Sequence, residues 1–301
     1  MEKLILWGAG RIGAEAYAVL KRLYDVVAWG DNDIYKHNLI YKGIPVIDFN
    51  ELLENYEDCK VVISMADYYE EADRLSRNGV CVLGYYDIIR RKVLPWRRIE
   101  WKDIETGNVR LYAGDIYQNF DKYPDEYVIC CSLTNSNYRC IRHDITQPCP
   151  LPSNTIESYQ IEDVLEHIEY NKAVYVLNEI YRILKRGGVL RLSMPDFHSP
   201  LNLHNSFVDR VGKVVYDPCG GGKFVKGKVC DRGHVWFPTY ESVLRIIEQS
   251  DFRKYKFYRW YDVQGNIHAE DIDYKFGYIG QTKENSIEKV DFSLVVDCFK
   301  E

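Results

Sequence analysis

The chain lacks any apolar run near the ~18 unbroken residues of a membrane-spanning helix, so no transmembrane segment is expected. It also lacks a signal-peptide pattern. Met1-Glu2-Lys3-Leu4-Ile5-Leu6-Trp7-Gly8 has neither the apolar length nor the small-residue cleavage site. A cytoplasmic location is the resulting expectation. A basic excess is missing too, with 45 acidic against 39 basic residues and a net charge of −6. That balance argues against nucleic acid as the partner. The nine cysteines are odd in number and scattered, so no disulfide framework is expected. Two cysteine sets merit a zinc test, Cys219, Cys230 and His234, and Cys140, His143 and Cys149. Neither has the paired Cys-x₂-Cys spacing of structural zinc, and no metal site is expected.

What is present is a globular composition, 46% hydrophobic and 28% charged, which excludes a disordered or collagen-like chain. At ~150 residues per domain, 301 residues suggest two domains. Aromatics reach 14%, with 25 tyrosines. Such side chains suit sugar or base stacking as well as ordinary packing.

The first half alternates short apolar runs with helical spacing. Leu4–Trp7, Val26–Trp29, Ile44–Ile47, Val61–Ser64 and Val80–Leu83 read as strands. Helices are expected over Ala14–Leu23, Phe49–Tyr56 and Tyr68–Asn78. That alternation implies a parallel sheet covered on both faces. Between the first strand and helix stands Gly8-Ala9-Gly10-Arg11-Ile12-Gly13. Gly8 permits a tight turn, Gly10 lets a pyrophosphate approach the backbone, and Gly13 lets the helix pack on the sheet. Asp31 lies about 20 residues further on, where an acid can take a ribose hydroxyl. A nucleotide or NAD is the ligand this pattern suggests; a turn that merely builds the fold is the alternative. The stretches Trp7-Gly8-Ala9-Gly10, Asp31-Asn32-Asp33, Gly43-Ile44-Pro45-Val46-Ile47 and Asp58–Ser64 resemble a small Rossmann-like module. It is of the kind found fused to glycan-modifying enzymes. The resemblance covers Lys3 to Tyr86 and implies no redox chemistry.

Arg90–Lys102 carries six basic residues and one acid around Pro95, with Trp96 and Trp101 inside it. It is expected to be a connector. The division expected is therefore 1–88 as the nucleotide-binding-type module, 89–103 as a basic linker, and 104–301 as a second domain.

The second half is again α/β, so two Rossmann-like doubly wound domains are expected. Strands are expected at Val109–Ala113, Tyr127–Leu133, Ile156–Ile161 and Val189–Met194, with a late pair near Tyr255–Arg259 and Phe292–Cys298. A helix over Tyr170–Lys185 would bury Val174, Leu177, Ile180, Tyr181 and Leu184, and end on Gly187-Gly188. Four stretches then occur in order: His143-Asp144-Ile145-Thr146, Pro150-Leu151-Pro152, Ile161–Ile168, and Leu177 through Gly188 to Asp196. They resemble the class I methyltransferase family, which uses S-adenosylmethionine (SAM). Arg186 stands where that family usually has proline, and His234-Val235-Trp236 resembles a motif late in its chains.

The resemblance implies SAM as cofactor. It places Gly114 in the cofactor loop, Asp144 and Ile145 at the adenine, and Glu162 next to the methyl donor. Asp144 could instead cap a turn. Two family features are reduced. Tyr112-Ala113-Gly114-Asp115 keeps one glycine, and Cys131–Asn137 carries no ribose-binding acid, with Asn135 or Asn137 as partial substitutes. His167 is the first candidate base, with His198 and His234 as alternatives; the rival reading makes His167 a packing residue beside Glu166. The basic, glycine-rich Asp217–Lys228 suggests a lid that meets phosphate through Lys223, Lys226 and Lys228. It is not a Walker A loop. The expected activity is methylation of a sugar or a nucleotide- or lipid-linked glycan precursor in polysaccharide biosynthesis. Two rivals remain. One is a non-catalytic methyltransferase-like protein that has lost SAM. The other is a nucleotide- or NAD-binding enzyme working through the first module. A homo-oligomer is left open.

Overall fold

The computed structural model describes residues 1–104, 109–114, 128–133, 137–279 and 292–301. The chain divides into two α/β units, Met1–Arg98 and Ile99–Glu301.

In the first unit, seven strands form one sheet. They are β1 (Lys3–Trp7), β2 (Asp25–Gly30), β3 (Ile40–Tyr41), β4 (Ile44–Ile47), β5 (Lys60–Ile63), β6 (Cys81–Asp87) and β7 (Lys92–Leu94), ordered β3-β4-β2-β1-β5-β6-β7. The central pairs are parallel, and only β3 and β7 run antiparallel at the edges. Helices α1 (Arg11–Leu20), α2 (Phe49–Asn55) and α3 (Tyr68–Arg77) connect the strands. Asp48 starts α2 by accepting the Glu51 N–H at 2.8 Å. Buried residues form two clusters, one holding Trp7, Ile63 and Leu75, the other Leu6, Ala16 and Trp29. A sheet covered on both faces requires this.

The segment expected as a linker is largely part of this unit. Lys92–Leu94 pairs with β6, and Trp96 is buried in the core beside Tyr69. The unit ends at Arg98, not at residue 88. Trp101–Ile104 (α4) opens the second unit. Basic residues there ride on a strand whose apolar partners decide its place.

Among the described residues the second unit has an eight-stranded mixed sheet. Its strands are β8 (Arg110–Ala113), β9 (Val128–Ser132), β10 (Cys140–Arg142), β11 (Ile156–Glu162), β12 (Leu184–Pro195), β17 (Lys254–Tyr261), β18 (Ile267–Ala269) and β19 (Ser293–Phe299). Their order is β10-β9-β8-β11-β12-β19-β17-β18. The pairs from β10 to β12 are parallel, and β19 enters antiparallel between β12 and β17. Chain order reverses between β8 and β11, which opens a crevice at the carboxyl ends of the strands there.

Helix α5 (Tyr170–Ile183) buries Ala173, Val176, Leu177, Ile180 and Ile183, while Val174 and Tyr181 pack at its flanks. It ends at Ile183. Gly187 and Gly188 therefore lie inside the long β12 run rather than capping the helix, as expected from sequence. Across β12 and β19, Arg191 faces Asp297 with both side chains fully buried. Its Nε and Nη2 each donate at 2.7 Å to that carboxylate, and Nη1 donates to the Gly277 carbonyl at 2.8 Å.

Between β12 and α7 (Tyr240–Gln249) the chain makes an excursion. It contains α6 (Pro200–Asn205) and two hairpins, β13 (Phe207–Val208) with β14 (Val214–Tyr216), and β15 (Lys223–Val225) with β16 (Lys228–Cys230). Lys226 and Gly227, at φ 48° and 78°, form the tight turn of the second hairpin, which requires left-handed backbone at both positions. Thr239 and Ser242 close a reciprocal cap at the start of α7. Among the described residues, no helix is long and apolar enough to cross a membrane.

Candidate active site in the second unit

The crevice at the carboxyl ends of β8, β9, β10 and β11 holds a cavity of about 360 Å³. Small-molecule sites usually span ~300–1,000 Å³. Gly114, Leu133, Asp144, Ile145, Val164 and His167 are among its lining residues, one or more from each strand end. Gly114 has φ 138°, a backbone state that L side chains rarely adopt, and a Cβ there would stand 2.5 Å from the Glu162 carbonyl. The turn thus folds flat onto β11. Asp144 is exposed on the cavity. Its Oδ1 accepts from the Thr146 N–H at 2.9 Å and the Thr146 hydroxyl at 2.8 Å. It is therefore both a turn-capping aspartate and a cavity residue. Cys131 also lines the cavity, but burial pushes its thiol up to about 12, which keeps it an unreactive wall.

Glu162 is placed differently from expectation. Its Oε2 accepts the Tyr112 hydroxyl at 2.7 Å, and the pair is buried beneath the Gly114 turn, outside the cavity lining. Tyr112 thus fills the space under the loop rather than the cavity. Strand β9 ends with Leu133 on the cavity, so no carboxylate comes from that strand end among the described residues. Asn137 turns its Oδ1 to the Arg139 N–H at 2.8 Å, within its own turn. Asp115 and Asn135 lie outside the described residues. Asp196, at the end of β12, accepts from the His198 and Tyr261 N–H groups at 2.9 and 2.7 Å. Burial pushes its pKa up to about 6 against those hydrogen bonds. It braces the strand end.

The three candidate histidines separate into a pair and a single. His167 lies in the short helical turn after β11. Its Nδ1 stands 2.8 Å from the Arg232 carbonyl, an acceptor, so Nδ1 carries the proton and Nε2 the lone pair. Burial lowers its pKa, and neighbouring His234 lowers it further. Its ring meets that of His234 edge to face at 4.6 Å. His234 is buried. Its Nδ1 lies 3.0 Å from Asp217 Oδ2, an ion-pair distance without aligned hydrogen-bond geometry, and its Nε2 lies 3.6 Å from Glu166 Oε1. His198 sits apart, with Nδ1 3.7 Å from Glu241.

The excursion is held to this turn by backbone. Val235 N–H donates to the Glu166 carbonyl at 2.9 Å, and Trp236 Nε1 to the Leu165 carbonyl at 3.0 Å. In the run Gly220-Gly221-Gly222, part of the segment expected to form a lid, Gly220 and Gly222 are packed and Gly221 faces open space. A Cβ on Gly220 would stand 2.4 Å from the His234 ring, and one on Gly222 would stand 2.4 Å from the Cys230 carbonyl. Lys223 pairs with Asp231 at 2.9 Å, while Lys226 and Lys228 are exposed. A second cavity of about 700 Å³ opens within the excursion, lined by Phe197, His198, Lys213, Trp236 and Phe237 among others. The two cavities are linked through rings. His167 lines the first, His234 packs on His167 and on Phe197, and Phe197 lines the second. Glu166, Asp217 and Arg232 were not singled out from sequence as site residues. About 65 residues separate the Glu166–His167 turn from Arg232–His234, so spacing gives no hint of the meeting.

The glycine turn of the first unit is satisfied in part from within, and among the described residues no side chain caps the α1 start at Gly10. Gly8 has φ 120° and faces Ser64, whose hydroxyl donates to the Gly8 carbonyl at 3.1 Å. Gly13 packs so closely that a Cβ would stand 2.1 Å from the Gly8 carbonyl, whereas Gly10 faces open space. Asp31, the expected ribose acid, accepts from the Ala9 N–H at 2.8 Å, the Asp33 N–H at 2.9 Å and Lys36 at 2.9 Å.

Residues 102–192 match the protein family described as methyltransferase domain. A search of curated proteins finds no match. Among solved structures, a SAM-dependent methyltransferase from Thermotoga maritima, a possible histamine N-methyltransferase, is 12% identical. That likeness covers 66% of this chain and 85% of that one, at a TM-score of 0.40. A SAM-dependent methyltransferase from Archaeoglobus fulgidus is 12% identical over 84% of this chain and 100% of that one, at 0.38. One from Mesorhizobium loti is 14% identical over 67% and 97%, at 0.35. Likenesses at these scores bear on neither acceptor nor mechanism.

Proposed function

We propose that this chain, which carries a methyltransferase domain at residues 102–192, moves a methyl group from SAM to a hydroxyl of a sugar-type acceptor. The observation that carries the reading is the crevice cavity, with Asp144 at one side and the neutral His167 at the other. Its residues suit SAM. Leu133, Ile145, Val164 and Ile168 offer apolar walls for a base, and Asp144 offers a carboxylate oxygen to an exocyclic amine. When bound, SAM would supply an electrophilic methyl group.

The chain itself does the positioning, which is the main requirement of such a transfer. Gly114 keeps the β8 turn close against β11, with no side chain of its own on the cavity. His167, with its Nε2 lone pair and lowered pKa, can take the proton of an acceptor hydroxyl at neutral pH. The second cavity is read as the acceptor side. Phe197, Trp236 and Phe237 give faces on which a sugar ring stacks. Lys213 in its wall suits the phosphate of a nucleotide- or lipid-linked sugar. The polysaccharide context rests on the resemblance of the first unit to modules of glycan-modifying enzymes. A nucleotide or NAD at the Gly8–Gly13 turn has weaker support, because Asp31 is committed to Ala9, Asp33 and Lys36.

The absence of a carboxylate at the β9 end among the described residues, with Glu162 tied to Tyr112, favours a second reading: a methyltransferase-like domain that does not turn over. Incubation with methyl-labelled SAM and a panel of free, nucleotide-linked and lipid-linked sugars separates the two. The first reading predicts transfer to at least one sugar. It also predicts a kcat at least ~100-fold lower in His167→Ala, in line with loss of a general base, at unchanged SAM affinity. No labelled product from any acceptor, with SAM bound or not, favours the second.

A further inference from the structure

We infer that Glu166, His167 and His234 form a binding site for one divalent transition-metal ion, beside the crevice cavity that His167 lines. One ligand atom from each of the three lies within 4.8 Å of the other two. Glu166 is fully buried, and among the described residues neither of its carboxylate oxygens has a hydrogen-bond partner. A buried carboxylate left so is costly, and each such group calls for an explanation. The Glu166 Oε1 to His234 Nε2 separation is 3.6 Å. A direct charge-assisted hydrogen bond would close to about 2.7–2.9 Å. Two ligands at ~2.0–2.2 Å from one tetrahedral cation stand roughly 3.3–3.6 Å apart.

The surroundings have the form that metal-binding imidazoles need. A ligating histidine usually has its other ring nitrogen held by a carbonyl or carboxylate, which fixes the tautomer. His167 Nδ1 is held by the Arg232 carbonyl, which frees Nε2 as a ligand. His234 Nδ1 lies 3.0 Å from the Asp217 carboxylate, at ion-pair distance without an aligned hydrogen bond, and its Nε2 lies 3.6 Å from Glu166. That Asp217 is itself fixed by accepting the Cys219 N–H at 2.9 Å. The backbone is bent to bring these groups in. Asp231 and Arg232 both hold left-handed backbone, at φ 56° and 67°, and Gly220 lies flat on the His234 ring. Two imidazoles and one carboxylate suit zinc, manganese or iron rather than magnesium or calcium.

This rests on the proposed methyl transfer and reassigns His167 within it, from general base to ion ligand. A cation held there would ligate the acceptor hydroxyl and lower its pKa, so the hydroxyl loses its proton to water without a protein base. His167 then holds the ion instead of the proton. The ion site is measurable with neither SAM nor acceptor, so failure of the methyl-transfer reading and failure of this one are distinguishable.

The test strips the full-length protein with a chelator and titrates it with Co²⁺ alone, followed by its visible absorption. Zn²⁺ is then titrated in competition with a coloured chelator. The expected result is saturation at one ion per chain, with affinity at least ~100-fold weaker in Glu166→Gln, which keeps the side-chain shape. Asp217→Asn should weaken it ~10–100-fold, as loss of a supporting partner does. Cys219→Ala and Cys230→Ala should leave it unchanged. Ion binding should also raise the unfolding temperature of the wild type, which needs no variant to fold. Absence of saturable Co²⁺ or Zn²⁺ binding by the folded wild type overturns the inference. So does binding that survives Glu166→Gln or disappears with the cysteines.

Discussion

The two units carry glycine turns of opposite character. In the first, the Gly8–Gly13 motif is complete, yet its acid is spent within the unit, Asp31 on the Ala9 N–H, and the Gly8 carbonyl is taken by Ser64, while among the described residues no side chain caps the first turn of α1. In the second, a single Gly114 remains, yet the crevice beside it holds a cavity, and next to His167 lies a buried Glu166 whose carboxylate has no hydrogen bond among the described residues. Intact motif residues build the turn in both units. What distinguishes a place that can act on a ligand is polar capacity left unused by the fold.

The difference extends to the acids. The second unit pairs or strands its carboxylates in the core, whereas Asp31 in the first sits in a hydrogen-bonded turn. The largest expected effect tests the core pair. Asp297→Ala leaves the Arg191 guanidinium buried without its counter-charge, which costs about 3–5 kcal/mol. In calorimetry the loss should fall on the transition of the second unit, with that of the first unmoved. An equal shift of both transitions would break the comparison.

Next in size is a pH effect of opposite sign in the two units. The folded pKa of Asp196 is raised to about 6, chiefly by burial, so folding favours its protonated form. Its contribution is complete below the unfolded value, ~3.9, and is lost as pH rises through 6, a change of at most ~3 kcal/mol. Asp31 moves the other way. Burial raises its pKa, but the bonds from Lys36, Asp33 and Ala9 outweigh burial and lower it. Its contribution is present above the unfolded value and is lost as pH falls through the folded one. Thermal scans from pH 3 to 8 should show this, and Asp196→Asn should flatten the slope of the second unit between about pH 4 and 6. An unchanged slope in that variant would remove Asp196 as the source.

Smaller still is the effect of opening the first turn. Asp31→Ala removes three hydrogen bonds to a charged, partly exposed acceptor, and one such bond is worth ~1.5–3 kcal/mol. A loss toward the lower end is expected, confined to the first unit and without effect on SAM affinity. A change in SAM affinity would place the ligand in the wrong unit.

Much of this was legible in the residues. The apolar run Leu4–Trp7 and the alternating Ile156–Ile161 appear as strands, and Asp144, Ile145, Val164, His167 and Ile168 of the string from Asp144 to Asp196 line the cavity. Errors arose where tertiary packing overrode local chemistry. Gly187-Gly188 has the composition of a helix cap, but pairing with β11 and β19 carries the chain into β12 from Leu184. Arg90–Lys102 is basic, but Val93, Leu94 and Trp96 bury and make it part of the first unit. Glu162 occupies the anticipated strand end, yet Tyr112, fifty residues away, takes its carboxylate. The Glu166–His167–His234 cluster had one local signal, an acid next to a histidine. Its partner arrives only through the excursion after β12, which no spacing rule connects to it.

The central claim is that ligand chemistry belongs to the crevice of the second unit. Isothermal titration of SAM into wild type, Asp31→Ala and Asp144→Ala, side by side, tests it most directly. The account predicts equal affinity in wild type and Asp31→Ala, and affinity about tenfold weaker in Asp144→Ala, the equivalent of one charged hydrogen bond. Loss of binding in Asp31→Ala, or no heat from wild type at millimolar SAM, would contradict it.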